Sequence, residues 1–507
     1  MGNPLTRLAL LALVAFAAAG VAFARPASQA NACGAYGPFD FDTYEAEDYI
    51  TDYGHAIQIA AEGKAGLPPY AVSGETVDLS YQGLKTGPRN ARTTTADPSL
   101  RLPPSVYKSI VWVESVWSNA SGLVPFGGVG PALVSPDCGY GLAQVTSGMA
   151  NTSGGATAKQ AAIGTHPLFN LAEGARILAD KWNSAPRFRP IAGTGDPAAL
   201  EDWYFAIWSY NGFAFSNHPL NPNRDPLRAG ASADGPIYHC YEPTAPSYQN
   251  ALFGYGDYTY PERVYGCMRF PPMREGRYLY DAQTFSMPDL TNPVVAAAFA
   301  PEHFLACEEG GFESGCPEMD FPTTVEDNTD TPANEARIPH ADSTPAFDPA
   351  WLGKWLGDPV FEYNAPYTMV LTASTDGKAT SGTAIVRNVG AGIGPFRVRT
   401  SHVWIVAQHV NDPFPRSIDG SVAVGQDTEV VLQRQTDTQP RMAQKGYDSV
   451  LRITLDTRSM PDGLTVGYVQ LEPLLGSGGV FTIEVIATKG ASGLAYDATL
   501  PGLTRDP

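Results

Sequence analysis

The chain has 507 residues, of which 43% are hydrophobic and 17% charged, so its composition is that of a globular protein with more than one core. The formal net charge is −19, which argues against nucleic acid as a partner, because binding to phosphates needs cationic side chains. Any polysaccharide would have to be held by short-range hydrogen bonds and aromatic stacking. The 51 glycines and 44 prolines indicate long loops and turns.

Residues 1–24 have the pattern of a secretory signal peptide. Arg7 precedes the apolar stretch 8–19, and Ala22 and Ala24 form an A-x-A cleavage pattern. A membrane anchor is the alternative, but the stretch is shorter than the roughly 20 residues that a spanning helix needs. We therefore expect a secreted protein, in the extracellular space or the cell envelope, with no membrane span after removal of the signal.

The even number of cysteines in an exported chain favours disulfides. Cys307 and Cys316 are close enough for a local bridge, whereas the sequence does not pair the other four. The six are Cys33, Cys138, Cys240, Cys267, Cys307 and Cys316. Zinc is the rival interpretation, but neither C-x-x-C nor H-x-x-x-H spacing is present. We expect no metal and no cofactor.

Residues 25–100 are interpreted as an irregular N-terminal extension that packs on the next domain, and residues 101–301 as a mainly α-helical domain. In the latter, apolar side chains recur at spacings of four, three and four, which predicts one face of a helix. These side chains are Val106, Ile110, Val113 and Trp117.

Two further helices are predicted in the same domain. One covers residues 170–182, and the other runs from Trp203 to Tyr210 and ends at Gly212. Residues 302–349 are rich in acids, proline and threonine, which is typical of a linker.

Residues 350–507 are predicted to form an all-β accessory domain. Apolar and polar residues alternate over 451–455 and 481–485, and Gly-rich turns separate such runs. A sandwich of two sheets fits this spacing. The predicted fold class is therefore a multidomain chain with a mainly α-helical domain and a C-terminal β-sandwich.

Glu114 is the candidate catalytic residue, because it lies in the apolar segment 111–117 of the first helix. Cleavage of a glycosidic bond needs an acid that protonates the leaving oxygen. A carboxylic acid does this near neutral pH only if a dry, apolar setting raises its pKa. The alternative is a boundary residue that forms a salt bridge.

Four further blocks follow Glu114-Ser115 along the chain. They span residues 135–144 (SPDCGYGLAQ), 170–176 (NLAEGAR), 209–212 (SYNG) and 260–264 (YPERV). In order and residue type, the blocks resemble the soluble lytic transglycosylase family, which has a lysozyme-like fold. The chain departs from the family in an insertion over 122–134, in Cys138 at a glycine position, and in a long insert over 213–259.

This resemblance implies roles for the matching residues. Glu114 would be a single acid that later acts as a base, and Tyr210 would support it in the cleft. The implied substrate-binding residues are Ser115, Ser135, Gly141, Leu142, Gln144 and Asn211. Each also has a structural interpretation: Tyr210 as a core residue, Gly141 as a turn residue and Asn211 as a helix cap.

The expected activity is that of a lytic transglycosylase that cleaves the MurNAc-β-1,4-GlcNAc bond of peptidoglycan, or of a related N-acetylated glycan, and leaves 1,6-anhydro-MurNAc ends. A lysozyme- or chitinase-type hydrolase with Asp137 as a second carboxylate is an alternative. A non-catalytic protein that binds the cell wall is another. The sequence leaves the oligomeric state open.

The C-terminal region resembles the BACON group of immunoglobulin-like domains. The resemblance rests on residues 388–390, 394–396, 403–405 and 463–468. It implies either a spacer or a module that binds glycans or surfaces. Trp404 is compatible with a buried core position or with a platform for a sugar ring.

Overall fold

The computed structural model describes residues 39–304, 320–321, 336–338, 358–409, 428–433 and 449–490, without 40, 47, 68–69, 73–74, 123, 151–155, 188, 222–237, 241–257, 275 and 286–292. The predicted signal peptide and most of the predicted linker lie outside these residues. Among the described residues, every helix is too short or too polar to cross a lipid bilayer.

The first part of the chain is mainly helical. Its helices are α1 (His55–Ala61), α2 (Pro104–Ser115), α3 (Ala158–Thr165), α4 (Pro167–Asn183), α5 (Tyr204–Tyr210), α6 (Tyr260–Arg269) and α7 (Pro293–Ala298). Its strands are short and pair in twos: β1 (Asp42–Tyr44), β2 (Tyr70–Val72), β3 (Glu75–Val77), β4 (Val129–Pro131), β5 (Ile191–Ala192), β6 (Met273–Arg274), β7 (Arg277–Tyr278) and β8 (Ala282–Thr284).

The three helices predicted from periodicity are confirmed with small changes at their ends. Helix α2 ends two residues before Trp117, because Val116 and Trp117 adopt the left-handed conformation with φ of 55° and 52°. Helix α4 extends the predicted 170–182 segment to Pro167, where proline suits the first turn. A 3₁₀ turn, Leu200–Trp203, leads into α5, and Gly212 follows its end with φ of 80°.

The segment before α2 is more regular than the sequence suggests. A π-helical turn, Tyr49–Gly54, continues into α1, and their apolar side chains belong to the same core as α2, α4 and α5. Tyr53 and Ile57 are fully buried there. This region therefore helps to build the helical core instead of lying on its surface as irregular chain.

The C-terminal part is a sandwich of two sheets, with strand orders β11-β13-β17-β15 and β12-β19-β18-β14-β16. Alternate side chains of both sheets fill a shared core. The strands are β11 (Phe361–Asn364), β12 (Thr368–Ala373), β13 (Gly382–Asn388), β14 (Ile393–Thr400), β15 (Ile405–His409), β16 (Thr428–Gln433), β17 (Ser449–Leu455), β18 (Gly463–Pro473) and β19 (Phe481–Lys489). Between β8 and β11 lie β9 (Asp320–Phe321) and β10 (Ala336–Ile338), which pair with β5 and β8.

The strand predictions for 451–455 and 481–485 are confirmed by β17 and β19. Trp404 is 2% exposed and belongs to the sandwich core, so its indole is not a surface platform.

The sandwich packs directly against the helical part. Leu474 and Leu475, which follow β18, share a core with Phe41 and Tyr140. The guanidinium of Arg397 on β14 is buried and donates to the carbonyl of Ala156 at 3.4 Å. Because apolar groups from both parts are shared, the sandwich is part of the same packed body.

Two of the cysteine questions are answered by the structure. Cys240 and Cys267 form a disulfide that ties the segment before α6 to α6 itself, and Cys138 is also disulfide-bonded. The local bridge predicted between Cys307 and Cys316 falls outside the described residues.

Candidate active site

Glu114 lies in the last turn of α2, where the helix ends in a left-handed residue. This residue is Val116, and its N–H still donates to the carbonyl of Trp112 at 2.8 Å. The Glu114 side chain is partly buried, and the rest of the helix is packed in the core. Position 114 therefore places a carboxyl group at the rim of the helical core.

The phenol of Tyr260 donates a hydrogen bond to Oε1 of Glu114 at 2.5 Å. This bond favours the charged carboxylate, but loss of solvation on burial opposes it more strongly and raises the pKa of Glu114 to about 7. The charge of Arg263 lowers this pKa and that of Asp137 raises it. The group thus holds a proton near neutral pH and can also release it, as a general acid and base requires.

Tyr260 is held in place from both sides. It is the first residue of α6, whose N-terminus is closed by a capping box between Thr259 and Glu262. Its own N–H donates to Oδ1 of Asn217 at 3.0 Å. The amide of Asn217 in turn donates to Oδ1 of Asn211 at 3.0 Å. Asn211, which caps the C-terminus of α5, therefore connects to Glu114 through Asn217 and Tyr260.

Tyr210 closes another side of the site. Its hydroxyl donates to the carbonyl of Ala143 at 2.8 Å, and the charge of Glu114 contributes to a Tyr210 pKa well above its usual range, after the larger effect of burial. Gly174 of α4 permits this approach, because a Cβ there would lie 2.9 Å from the Tyr210 hydroxyl and 2.5 Å from Cβ of Ala143. The glycine of the 170–176 block thus serves packing around Tyr210.

The loop of residues 135–144 is closed by its own polar groups. The hydroxyl of Ser135 accepts from the N–H of Gly139 at 2.8 Å and donates to Asp137 at 2.5 Å. The amide of Gln144 donates to the carbonyl of Gly141 at 2.7 Å. Ser135 and Gln144 are both partly exposed, so each retains some access to solvent.

Two buried asparagines fix the tip of this loop. Asn170 accepts from the N–H of Ala143 at 2.8 Å, and Asn119 accepts from the N–H of Leu142 at 3.3 Å. Gly141 has φ of 65°, and a Cβ there would lie 2.7 Å from Oδ1 of Asn119 and 2.8 Å from Nδ2 of Asn170. The loop therefore needs glycine at this position for its own packing.

The predicted site residues fall into two groups. Glu114 lies close enough to Tyr210 for its charge to affect the pKa of Tyr210. Ser135 and Gln144 are partly exposed on the loop, and Asn211 is exposed at the end of α5. Ser115 and Leu142 are turned inward. The Ser115 hydroxyl donates to the carbonyl of Val111 at 3.0 Å, and the Leu142 side chain is fully buried. Their side chains thus support the protein around the site.

Tyr260 was missed as a site residue, although the sequence marks it as the first residue of the 260–264 block. The resemblance gives this residue no role. Its contact with Glu114 spans 146 residues of chain, so no local pattern shows it. Within the described ranges, no three His, Cys, Asp or Glu side chains are grouped so as to ligate a metal.

No family model matches this chain, and no curated protein matches it. Solved structures give weak matches. A protein of unknown function from Porphyromonas gingivalis W83 is 18% identical, with 30% of this chain and 54% of that chain covered and a TM-score of 0.17. The periplasmic chaperone SfaE is 14% identical, with 26% and 58% covered and a TM-score of 0.15.

A PapD-like domain of human CEP192 is 12% identical, with 30% of this chain and 96% of that domain covered and a TM-score of 0.15. This chain spans about half the length of the first two structures. TM-scores this low support no conclusion about this protein.

Proposed function

We propose that this protein is an exported lytic transglycosylase that cleaves the MurNAc-β-1,4-GlcNAc bond of peptidoglycan, with a lysozyme-like helical domain and an immunoglobulin-like accessory domain. One observation carries the proposal: burial raises the pKa of Glu114 to about 7, and this carboxyl group accepts a hydrogen bond from Tyr260 of the 260–264 block. The order of those blocks in the sequence supplies the substrate class.

In this proposal, protonated Glu114 gives its proton to the leaving glycosidic oxygen. The muramoyl 6-hydroxyl then attacks the anomeric carbon to close the 1,6-anhydro ring, and the Glu114 carboxylate takes up the hydroxyl proton. The Tyr260 hydroxyl stabilises the carboxylate between the two steps, because its hydrogen bond is stronger to the charged form. The residue is thus returned to its protonated state without a second carboxylate.

Hydrolysis is the second candidate, and the nearness of Asp137 favours it. Its charge raises the pKa of Glu114, and its side chain is exposed to solvent. A carboxylate so placed can activate a water molecule. In the structure Asp137 accepts a hydrogen bond from Ser135, which holds it on the loop.

The products separate the two candidates. The mature protein is incubated with purified sacculi, and the soluble fragments are identified by mass. Transglycosylation gives 1,6-anhydro ends, which are lighter by one water than the reducing ends that hydrolysis gives. We expect anhydro ends from the wild type and from Asp137→Asn, and no fragments from Glu114→Gln.

Reducing ends from the wild type would show that the activity is hydrolysis and not transglycosylation. Loss of these ends in Asp137→Asn would assign the second carboxylate to Asp137. Equal fragment release by the wild type and Glu114→Gln would overturn both enzymatic candidates. Absence of release by the wild type on sacculi of several wall types would leave a wall-binding role.

A further inference from the structure

A concave surface lies beside the helix that carries Glu114. It encloses a cavity of about 420 Å³, within the size range of small-ligand sites. Trp112 and Val116, two residues before and after Glu114, line it, but Glu114, Tyr210 and Tyr260 do not. Residues two apart on a helix point roughly 200° from each other, so Trp112 faces away from the Glu114 carboxyl group.

Three aromatic side chains form walls of this cavity, which we call the aromatic pocket. Tyr49 and Phe126 meet edge to face with ring centroids 5.0 Å apart, and Trp112 lies on α2. Tyr49 and Trp112 are buried, whereas Phe126 is 44% exposed at the mouth. The exposed ring of Phe126 suits the C–H face of a sugar ring, with polar groups at the edge to fix its orientation.

Two guanidinium groups supply the polar edge. Arg274 stacks on Tyr49 with its Cζ 3.9 Å from the ring centroid, and lies 5.4 Å from that of Trp112. One of its nitrogens donates to the carbonyl of Val116 at 2.6 Å. Among the described carboxylates, none lies within salt-bridge distance of Arg274. Arg277 is paired with Asp48 at 3.2 Å.

The pocket lining is therefore locally cationic in a chain of net charge −19, with two arginines against one aspartate. A guanidinium carries five N–H groups, of which Arg274 donates one to Val116 and uses another with Tyr49, and a guanidinium binds a carboxylate through charge-assisted hydrogen bonds. Neutral sugars would use the rings but not the charge.

We propose that the aromatic pocket binds an N-acetylated sugar with a free carboxylate, as in a muramoyl residue without its stem peptide, and that it holds the glycan outside the site of cleavage. The ring of the sugar packs on the exposed side of Phe126, and its carboxylate meets Arg274. The choice of an amino sugar rests on the proposed function, whereas the preference for a carboxylate rests on the pocket alone.

Two sugars that differ only in the acid group test this. Full-length mature Glu114→Gln protein is titrated with N-acetylmuramic acid and with N-acetylglucosamine, and binding is followed by calorimetry and by the change in tryptophan fluorescence. We expect N-acetylmuramic acid to bind about tenfold more tightly, from one charge-assisted contact. Phe126→Ala and Arg274→Lys should each lower its affinity several-fold.

Matched controls separate the pocket from the cleft and from general damage. Tyr367→Ala removes an aromatic side chain that is 77% exposed on the sandwich, and Gln144→Ala alters the loop near Glu114. Tyr367→Ala should bind N-acetylmuramic acid like the parent protein, whereas Gln144→Ala reports on sugar bound beside Glu114. Thermal unfolding of every variant verifies that it is folded, and Arg274→Lys preserves the positive charge beside Val116.

Equal affinity for the two sugars, or unchanged affinity in folded Phe126→Ala protein, would overturn the proposal. Loss of binding in Gln144→Ala but not in Phe126→Ala would overturn it too, because it would locate the sugar in the cleft. If Arg274→Lys lowers the affinity for N-acetylmuramic acid while the wild type releases no fragments from sacculi, the proposed function is wrong and the proposed sugar site stands. If the wild type releases fragments but binds the two sugars equally, only the proposed sugar site is wrong.

Discussion

Two glutamates on neighbouring segments of the helical part have the same pKa shift and different surroundings. Burial raises the pKa of both Glu45 and Glu114 to about 7. Glu45 is 2% exposed and its two oxygens accept three hydrogen bonds, from the Tyr53 hydroxyl at 2.9 Å and from the N–H groups of Asn119 and Ala120 at 3.1 and 2.9 Å. Glu114 accepts one bond, from Tyr260.

A raised pKa alone therefore does not mark an active site. Glu45 fixes the loop that follows α2, and its acceptor positions are taken up by the protein. No described donor reaches Oε2 of Glu114, which leaves that oxygen for a substrate. The two residues therefore differ in the hydrogen-bond acceptor sites that they leave for a ligand, and not in the shift of their pKa.

The largest expected effect is on catalysis. Glu114→Gln keeps the size of the side chain and a partner for Tyr260 but removes the proton, so we expect release of fragments from sacculi to fall about a thousandfold, within the range of general acid catalysis. Glu45→Gln is the matched control, since its amide can donate to Tyr53 and its oxygen can accept from the backbone N–H groups. Its rate should stay within about threefold of the wild type.

These rates are measured as solubilised glycan at several enzyme concentrations near pH 6. Equal losses in the two variants would break the comparison, because both glutamates would then act through structure. Normal activity in Glu114→Gln together with a lost rate in Glu45→Gln would reverse their roles.

The next effect is on stability. Glu45→Ala leaves Asn119, Ala120 and Tyr53 with buried donors that have lost their acceptor, so we expect the free energy of unfolding to fall by about 3 kcal/mol. Glu114→Ala loses one bond at a partly exposed position and should cost about 1 kcal/mol. Urea unfolding followed by tryptophan fluorescence compares the two. A larger loss in Glu114→Ala than in Glu45→Ala would contradict the assignment of Glu45 as the structural residue.

We also expect Glu45 to contribute to the pH dependence of the free energy of unfolding. Its pKa is raised in the folded state from 4.5 to about 7, so the folded protein binds the proton more tightly than the unfolded chain. The resulting stability is fully present below about pH 4.5 and is lost as pH rises through 7. Glu45→Gln cannot titrate, and its unfolding free energy should fall less steeply between pH 5 and 8. An identical slope in the variant would show that other groups cause the dependence.

The two glutamates also differ in how far the sequence predicts them. Glu114 is recognisable because its apolar neighbours, Val111, Trp112 and Val113, are adjacent in the chain and already imply a dry setting. Glu45 stands in an acidic, apparently irregular stretch, and its burial depends on Asn119 and Ala120, more than 70 residues away. Local periodicity also predicts α2, α4, β17 and β19, because their cores follow helical or strand spacing.

Contacts between distant elements are what the sequence alone does not provide. Tyr260 is visible as part of a block, but its bond to Glu114 depends on how α6 packs against α2. The same holds for Gly141, which the sequence assigns to sugar contact, whereas in the structure Asn119 and Asn170 fill the space at its Cα. The glycine in the motif predicts a close contact at position 141, and the structure shows that this contact is with Asn119 and Asn170.

The smallest expected effect is that of Tyr260→Phe on the pH profile of the rate. The tyrosine hydroxyl stabilises the charged form of Glu114 and so lowers its pKa against the effect of burial. Removing it should raise that pKa further, and the alkaline limb of the rate profile should move upward by about one pH unit, since one bond to a charged group is worth roughly 1.5 kcal/mol. Because the proton-donating form then persists to higher pH, the variant should lose most activity at low pH and least at high pH.

Tyr53→Phe removes the corresponding hydroxyl from Glu45 and should leave the profile unchanged. A shift in Tyr53→Phe, or a downward shift in Tyr260→Phe, would mean that the group that titrates in catalysis is not Glu114.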